Sequence, residues 1–246
     1  MKGLRDKAVL VTGGGGAIGS AICRRFAEED ARVLVADRNA EAANSVAKEV
    51  GGKSLVFDIA DYAAAKRAVD SAGEVDVLVN NAGWDRFQSF TDTDPAEWDA
   101  LFAINLRGPL NMQHIVLPQM AKHGRGRVVN ISSDAARVGS SGESIYSACK
   151  GGIISATKTI AREMARKGIT LNVVCPGPTD TPILRGFAGE GQAGQKVMDA
   201  LVRAIPMKRV GRPGDMPGIV CFLASDEAGY ITGQVISVSG GLTMAG

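Results

Sequence analysis

The chain has 246 residues with 45% hydrophobic and 22% charged side chains, which excludes a disordered chain; its 31 glycines, about twice the usual share, follow no three-residue period, which excludes collagen. A formal charge of +2, from 28 basic and 26 acidic residues, leaves no electrostatic footprint for nucleic acid or an anionic membrane, and no apolar run reaches the length of a membrane span. Cys23, Cys149, Cys175 and Cys221 form no C-x-x-C pair and the only histidines are His114 and His123, so neither a disulfide framework nor a metal site is expected.

The first apolar run, residues 8–11, leads straight into glycines and is too short for a secretory h-region, so a cytoplasmic protein is expected. Further runs of strand length follow at 32–36, 54–57, 75–79, 127–131, 170–174 and 235–238. They are rich in Val and Ile without strict alternation, as suits strands buried on both faces. Segments of helical length and composition lie between them, including 18–29, 40–50, 63–72 and 146–166. Asp94-Pro95-Ala96-Glu97 reads as a helix start, with Asp as cap, Pro at the first helical position and Glu at the third. Strand and helix in alternation predict right-handed crossovers and one α/β domain over residues 1–246. One stretch, 176–194, breaks the rhythm with Pro176, Pro178 and Pro182 followed by Gly186, Gly189, Gly191 and Gly194. A connection this long is a surface loop or a mobile lid, and a substrate lid is placed at about 182–205.

Directly after the first strand, Thr12-Gly13-Gly14-Gly15-Gly16-Ala17-Ile18-Gly19 opens a helix. Glycine there lets backbone amides close around a pyrophosphate, and the helix N-terminus favours its charge. The spacing is not G-x-G-x-x-G, so the strand–turn–helix context carries the reading. Gly13, Gly16, Ala17, Ile18 and Gly19 are the expected contacts. Asp37 ends the second strand, where the dinucleotide fold places an acid on the ribose hydroxyls. A carboxylate there repels a 2′-phosphate, so NAD is expected, although Arg38 beside it could accommodate one. Asp58 and Ile59 end the third strand and are candidates for the adenine edge, with helix capping as the other role for Asp58. The expected architecture is a Rossmann-type doubly wound parallel sheet of about seven strands, with helices on both faces.

Tyr146 and Lys150 lie four residues apart on a predicted helix and so share one face. A fixed ammonium, joined by the positive nicotinamide of an oxidised cofactor, would lower the tyrosine pKa by stabilising phenolate. Ser133 follows the fifth strand at the carboxyl edge of the sheet, where open α/β folds bind ligands. With the Thr12 to Gly19 turn, Asn80-Asn81-Ala82-Gly83, Asn105, Pro176-Gly177 and Thr181, these residues make the chain resemble the short-chain dehydrogenase/reductase family. The likeness runs from Asp6 to Gly241; Ala17 stands where glycine is commoner in the family. The resemblance implies that Tyr146 is the general acid/base, that Ser133 orients the substrate oxygen, and that Lys150 binds the nicotinamide ribose and tunes Tyr146. Asn105 would support a water-linked proton relay. Asn81, Ala82 and Gly83 would lie beside the adenosine ribose, and Thr181, with Pro176, Gly177 and Thr179, at the carboxamide. The implied reaction is hydride transfer between NAD and a secondary alcohol or ketone.

Substrate choice falls to Trp84, Arg137, Glu143 and Phe187. Trp84 could stack on a ring or pack under the lid; Arg137 and Glu143 could pair with each other or recognise a polar group, pairing being slightly favoured. The segments 80–85, 133–143, 175–181 and 240–244 are similar to those of bacterial dehydrogenases of alicyclic β-hydroxyacyl-CoA thioesters in aromatic and alicyclic degradation. Arg185, Lys196 and Arg203 would then supply a basic mouth for the thioester. Aryl secondary alcohols, 3-oxoacyl groups on a carrier protein, and a non-catalytic NAD-binding regulatory role are the alternatives. The family resemblance also implies a homotetramer built through long helices and the last strand, with the apolar C-terminus reaching a neighbouring subunit.

Overall fold

The Val-rich runs pair as expected. In a computed structural model, which describes residues 1–245, strands β1 (Ala8–Thr12), β2 (Arg32–Asp37), β3 (Lys53–Val56), β4 (Val77–Asn80), β5 (Gly126–Ile131), β6 (Ile169–Pro176) and β7 (Val235–Val238) form one parallel sheet. Their order is β3-β2-β1-β4-β5-β6-β7. Helices α1 (Ala17–Glu28), α2 (Ala40–Glu49), α3 (Tyr62–Ala72), α4 (Pro95–Phe102), α5 (Gly108–His123), α6 (Ala135–Val138), α7 (Ser144–Met164), α8 (Pro182–Ala188), α9 (Gly191–Ala204) and α10 (Pro217–Ala224) complete the chain.

Alternation along β1 assigns its residues to the two faces of the sheet. Val9 and Val11 face a core with Ile22 and Phe26 of α1, Val46 of α2 and Val220 of α10. Leu10 faces the opposite core, with Val69 of α3, Met112 and Val116 of α5, and Leu171. In-register partners repeat the division: Leu10 pairs with Leu34 and Leu78, and Val11 with Val35 and Val79. All five β1 residues are buried. This burial on both faces explains the missing hydrophobic/polar alternation in the sequence.

Local capping fixes the helix starts. Asn39 accepts from the Ala42 amide and Asp61 from the Ala64 amide, opening α2 and α3. Asp94 accepts from the Ala96 amide, and Pro95 stands at the first position of α4. A π-helical stretch, Ala103–Arg107, carries α4 into α5. The sequence pattern marks the start of α4 and is weaker over α5, which contains Pro118.

The stretch 176–194 is not the continuous loop its prolines and glycines suggest. Thr181 caps α8 through the Leu184 amide and Pro182 takes its first position, so one of the supposed breakers is a helix start. Gly189 and Gly191, at φ +79° and +66°, then turn the chain into α9. The span read as a lid is therefore a helical pair.

Strand order reverses between β1 and β4, since β1 leads to β2 on one side while β4 leads to β5 on the other. The connections diverge there and leave a crevice at the carboxyl ends of the strands, where ligands bind in open α/β sheets. Leu10→Ala, at a fully buried central position, is expected to cost about 2–5 kcal/mol, read as a lower urea midpoint at unchanged slope.

Candidate active site

The glycine turn is held to β4 by side chains on both sides of the crevice. Thr12 Oγ1 accepts from the amides of Asn81 (3.0 Å) and Ala82 (3.1 Å), and Asn81 Nδ2 donates to the carbonyls of Thr12 (3.0 Å) and Gly13 (3.1 Å). Close approach demands glycine at two positions. A Cβ on Gly19 would lie 2.1 Å from the Gly13 carbonyl oxygen, and one on Gly13, at φ +62°, would lie 2.8 Å from Ala82 Cα. Gly16 differs, because a Cβ there would approach only the Gly13 oxygen, at 3.3 Å, and would otherwise extend into the cleft. Gly16 caps α1 without a side-chain hydrogen bond, so first-turn amides of α1 are left to a ligand.

This turn forms one wall of a cleft of about 380 Å³ lined also by Asp37, Arg38, Asp58, Ile59, Ala82 and Thr181. Asp37 is fixed at its place: Oδ2 accepts from the Gly15 amide (3.1 Å) and Oδ1 from the Asn39 amide (2.9 Å). Asp58 accepts from the Ala60 amide (2.8 Å) in a local turn, while Asp61 caps α3. A second cleft, of about 610 Å³, holds Ser133, Tyr146, Lys150, Pro176, Gly177 and Thr179. Ile18, Asn81, Gly83, Trp84, Thr181 and Ile183 line both clefts, so the two are one trench. An open helix N-terminus, a fixed acid and an elongated trench fit a dinucleotide in chemistry and shape.

At the inner end, Tyr146 and Lys150 stand one turn apart on α7, with Lys150 Nζ 5.5 Å from the tyrosine ring centre. Lys150 is buried and donates to the Ile131 carbonyl at 3.0 Å. Burial pushes its ammonium down to about 8. Burial first, then the carboxyls of Asp85 and Glu143, push the Tyr146 phenol above the ordinary tyrosine range, and the nearby Ser133 hydroxyl acts the other way. Within the protein alone the acids oppose ionisation of Tyr146, and the expected lowering is one by Lys150 together with an oxidised cofactor.

Asn105, in the π-helical stretch, is fully buried. It accepts from the Trp84 amide (3.1 Å) and donates to the carbonyls of Trp84 (2.7 Å) and Leu101 (3.2 Å), clipping the segment after β4 onto the helix. A Cβ on Gly83 would lie 3.1 Å from both Asn105 Oδ1 and Lys150 Nζ, so Gly83 lets these two side chains converge.

The substrate candidates separate. Trp84, Glu143 and Phe187 line the larger cleft, and Trp84 also packs against a small core of Leu101, Ile145 and Cys149. Arg137 does not line it. Its guanidinium donates to Ser237 Oγ (2.8 Å) and to the Ala245 carbonyl, so the expected pairing with Glu143 is absent. Glu143 instead lies within hydrogen-bonding reach of Asp85. The C-terminal segment folds onto its own chain, with Leu242 and Thr243 in the cleft wall. Of the basic residues expected at the mouth, Arg185 is taken by Asp180 in a two-pronged ion pair (2.7 and 3.0 Å). Sequence reasoning missed Phe87, whose ring lies 4.0 Å from that of Phe187, centre to centre. Its position three residues past Trp84 was the available signal. Asp85, also missed as a site residue, is pushed up to about 7 by burial first and then by Glu143. Among the described residues, no three His, Cys, Asp or Glu side chains gather to hold a metal ion, and no helix is long and apolar enough to cross a membrane.

The trench thus joins a cleft of dinucleotide shape to a hydroxyl, a phenol and an ammonium at its inner end. A family model described as enoyl-(acyl carrier protein) reductase matches residues 15–243. The acetoacetyl-CoA reductase of Cupriavidus necator is 38% identical over 98% of this chain and 100% of its own length. The (2S)-[(R)-hydroxy(phenyl)methyl]succinyl-CoA dehydrogenase subunit BbsD of Thauera aromatica is 33% identical over 98% of both. A solved 3-oxoacyl-[acyl-carrier protein] reductase from Brucella melitensis with bound NAD superposes with a TM-score of 0.90 at 31% identity, covering 98% of this chain and 92% of that one. The chain belongs to the short-chain dehydrogenase/reductase family and is an oxidoreductase acting on a secondary alcohol or ketone.

The raised pKa of Asp85 has a consequence for stability. A carboxyl whose folded pKa exceeds its unfolded value favours folding below the unfolded value and loses that contribution as pH rises through the folded one. For Asp85 the window runs from 3.8 to about 7. The melting-temperature difference between Asp85→Asn and the parent is therefore expected to grow by about 2–5 °C in favour of the variant from pH 4 to pH 8. A difference independent of pH would contradict the raised value.

Proposed function

We propose that the protein is an NAD-dependent dehydrogenase of ring-bearing β-hydroxyacyl thioesters, with 2-hydroxycyclohexanecarboxyl-CoA, an intermediate of bacterial aromatic and alicyclic degradation, as its first candidate substrate. The observation that carries the reading is the continuity of the trench from Asp37 to Tyr146. Gly13, Gly16, Ala17, Ile18 and Gly19 would bind the pyrophosphate, with Asp37 on the adenosine ribose and Asp58 and Ile59 near the adenine. Asn81, Ala82 and Gly83 would flank the riboses, and Pro176, Gly177, Thr179 and Thr181 the carboxamide. A 2′-phosphate would face the fixed carboxylate of Asp37, which supports NAD over NADP even with Arg38 alongside. Asp37→Ser is expected to lower the ratio of kcat/KM with NAD to that with NADP at least about tenfold, on the scale of one lost charge interaction.

When bound, the cofactor supplies the hydride acceptor in oxidation and the donor in reduction. Ser133 holds the substrate oxygen against Tyr146. In oxidation Tyr146 takes the hydroxyl proton; in reduction it gives that proton to the developing alkoxide. Lys150 contributes positive charge and a ribose contact, and Asn105 holds the segment that brings Trp84 and Gly83 to the site. Tyr146→Phe is expected to lower kcat by about 10²–10⁴-fold with NAD affinity, read by fluorescence titration, within about twofold. Comparable turnover would overturn the assignment.

The substrate reading is supported by the three similar proteins, each of which bears the name of a thioester substrate, and by the aromatic and aliphatic wall of Trp84, Phe87, Leu184 and Phe187. A 3-oxoacyl carrier-protein substrate has equal support from the Brucella structure. NADH formation with 2-hydroxycyclohexanecarboxyl-CoA, 3-hydroxybutyryl-CoA, 1-phenylethanol and 3-hydroxyacyl carrier protein separates these readings. A homotetramer is part of the same proposal, supported by the edge strand β7, half-buried at all four residues.

A further inference from the structure

The charged residues lining the larger cleft are Asp85, Asp134, Glu143 and Lys150. Asp134 is linked to an opposite charge and Lys150 is tied to a carbonyl. Ser237 bridges Asp134 to Arg137, and Lys150 is held at the Ile131 carbonyl behind Tyr146. Asp85 and Glu143 have no ion-pair partner among the described residues; the opposite charge that acts on Asp85 is Lys150, and its pull is weaker than the push of burial and of Glu143. Arg86, next in sequence to Asp85, turns outward to Glu97, Arg137 turns to Ser237, and Arg185 turns to Asp180. Glu143 occupies the cap position of α7 without capping it through its side chain, and its carboxyl meets that of Asp85 instead. One Asp85 oxygen accepts from the Arg86 amide (2.8 Å), while the other is buried with no donor in reach among the described residues. The remaining ionisable neighbours are Lys150, which burial holds down to about 8, Tyr146, and the thiols of Cys149 and Cys175, which burial pushes up to about 11 and so keeps neutral.

We propose that Asp85 and Glu143 make this cleft reject a carboxylate beside the carbinol carbon, so that the uncharged β-hydroxyacyl ester or thioester is bound and the free β-hydroxy acid is refused. The physical basis is like-charge repulsion in a partly desolvated wall, where a charge pair a few ångströms apart is screened less than in bulk water. A thioester has no charge at its carbonyl, whereas the acid released from it carries one at the same place. The thioester half of the statement rests on the function proposed above; the rejection of the carboxylate does not.

The pH dependence has a definite sign. Below about 7 Asp85 carries a proton and above it the carboxyl is ionised, while Lys150, held down to about 8, loses positive charge toward the top of the same range, so both changes make the cleft more negative as pH rises. A substrate carboxylic acid stays ionised across this range, so any change in discrimination between pH 6 and pH 8 belongs to the protein.

The test is a binding measurement on the NADH-loaded protein, using the methyl ester and the free acid of 2-hydroxycyclohexanecarboxylate as probes. The parent is expected to bind the ester about 10- to 100-fold more tightly than the acid, with the ratio larger at pH 8 than at pH 6. Asp85→Asn combined with Glu143→Gln is expected to bring the ratio within about threefold and to reduce its pH dependence to the part that Lys150 contributes. The single Glu143→Gln variant should lie between, and serves if the double variant does not fold. Equal binding of ester and acid by the parent, or an unchanged ratio in the variants, would overturn the proposal. Failure of the thioester reading would appear differently, as absent turnover of the CoA ester with the charge discrimination intact.

Discussion

The crevice between β1 and β4 depends on one set of hydrogen bonds, those that Thr12 and Asn81 make across it. Reversal of strand order opens a gap at the sheet's carboxyl edge, and a gap lined by free backbone groups would be costly to leave unsatisfied. Thr12 Oγ1 takes two amides from the β4 side and Asn81 returns two bonds to the turn, so each wall is braced by the other. The glycines can then remain open toward the trench. Gly19 and Gly13 are consumed by close packing, while Gly16 keeps the face that a ligand can approach.

A second brace sits deeper. Asn80 donates to Asn130 (2.8 Å), Asn130 donates to Thr157 on α7 (2.8 Å), and Ser132 donates to the Lys150 carbonyl (3.0 Å). These buried polar contacts cross from β4 through β5 to the helix that carries Tyr146 and Lys150. Pairing in such positions offsets a cost of about 1–3 kcal/mol for each orphaned group, and in this network Asn80 Oδ1 is the atom left without a partner among the described residues. The network therefore fixes the rotation of α7 relative to the sheet, and with it the placing of Tyr146 against Ser133. Precision at the site comes from the core beneath it.

Legibility in the sequence followed how local each signal was. The strands were readable because Val and Ile runs, buried on both faces, look alike whatever their neighbours. The glycine turn was readable from its place between a strand and a helix, whereas the Tyr146–Lys150 spacing, common on any helix, gained meaning only from Ser133 at the sheet edge and from the family resemblance. Arg137 and Glu143 failed as a pair because their contacts are not local. Their partners, Ser237 and Asp85, lie 100 and 58 positions away in the chain (237 − 137 and 143 − 85), and the nearer pairing was the only one that spacing offered. The helices after Pro182 were hidden because proline and glycine signal both a loop and the boundaries of short helices. Only the caps, Thr181 with Pro182, distinguish the two.

The electrostatics of the inner site also bear on the order of events. Tyr146 is raised by burial and by two acids, and its neighbour Lys150 is itself depressed by burial. A phenol so placed holds its proton firmly until positive charge arrives nearby. In the proposed oxidation that charge comes with the cofactor, whose nicotinamide is cationic only in its oxidised form. Tyr146 is then competent as a base after the oxidised cofactor has bound, and as an acid once the ring is neutral. In the proposed mechanism the acids that oppose ionisation would make proton removal depend on a bound hydride acceptor. Asp85 and Glu143 would act on both reactants at once, holding back the phenolate until the cofactor is in place and holding out any substrate that brings a negative charge of its own.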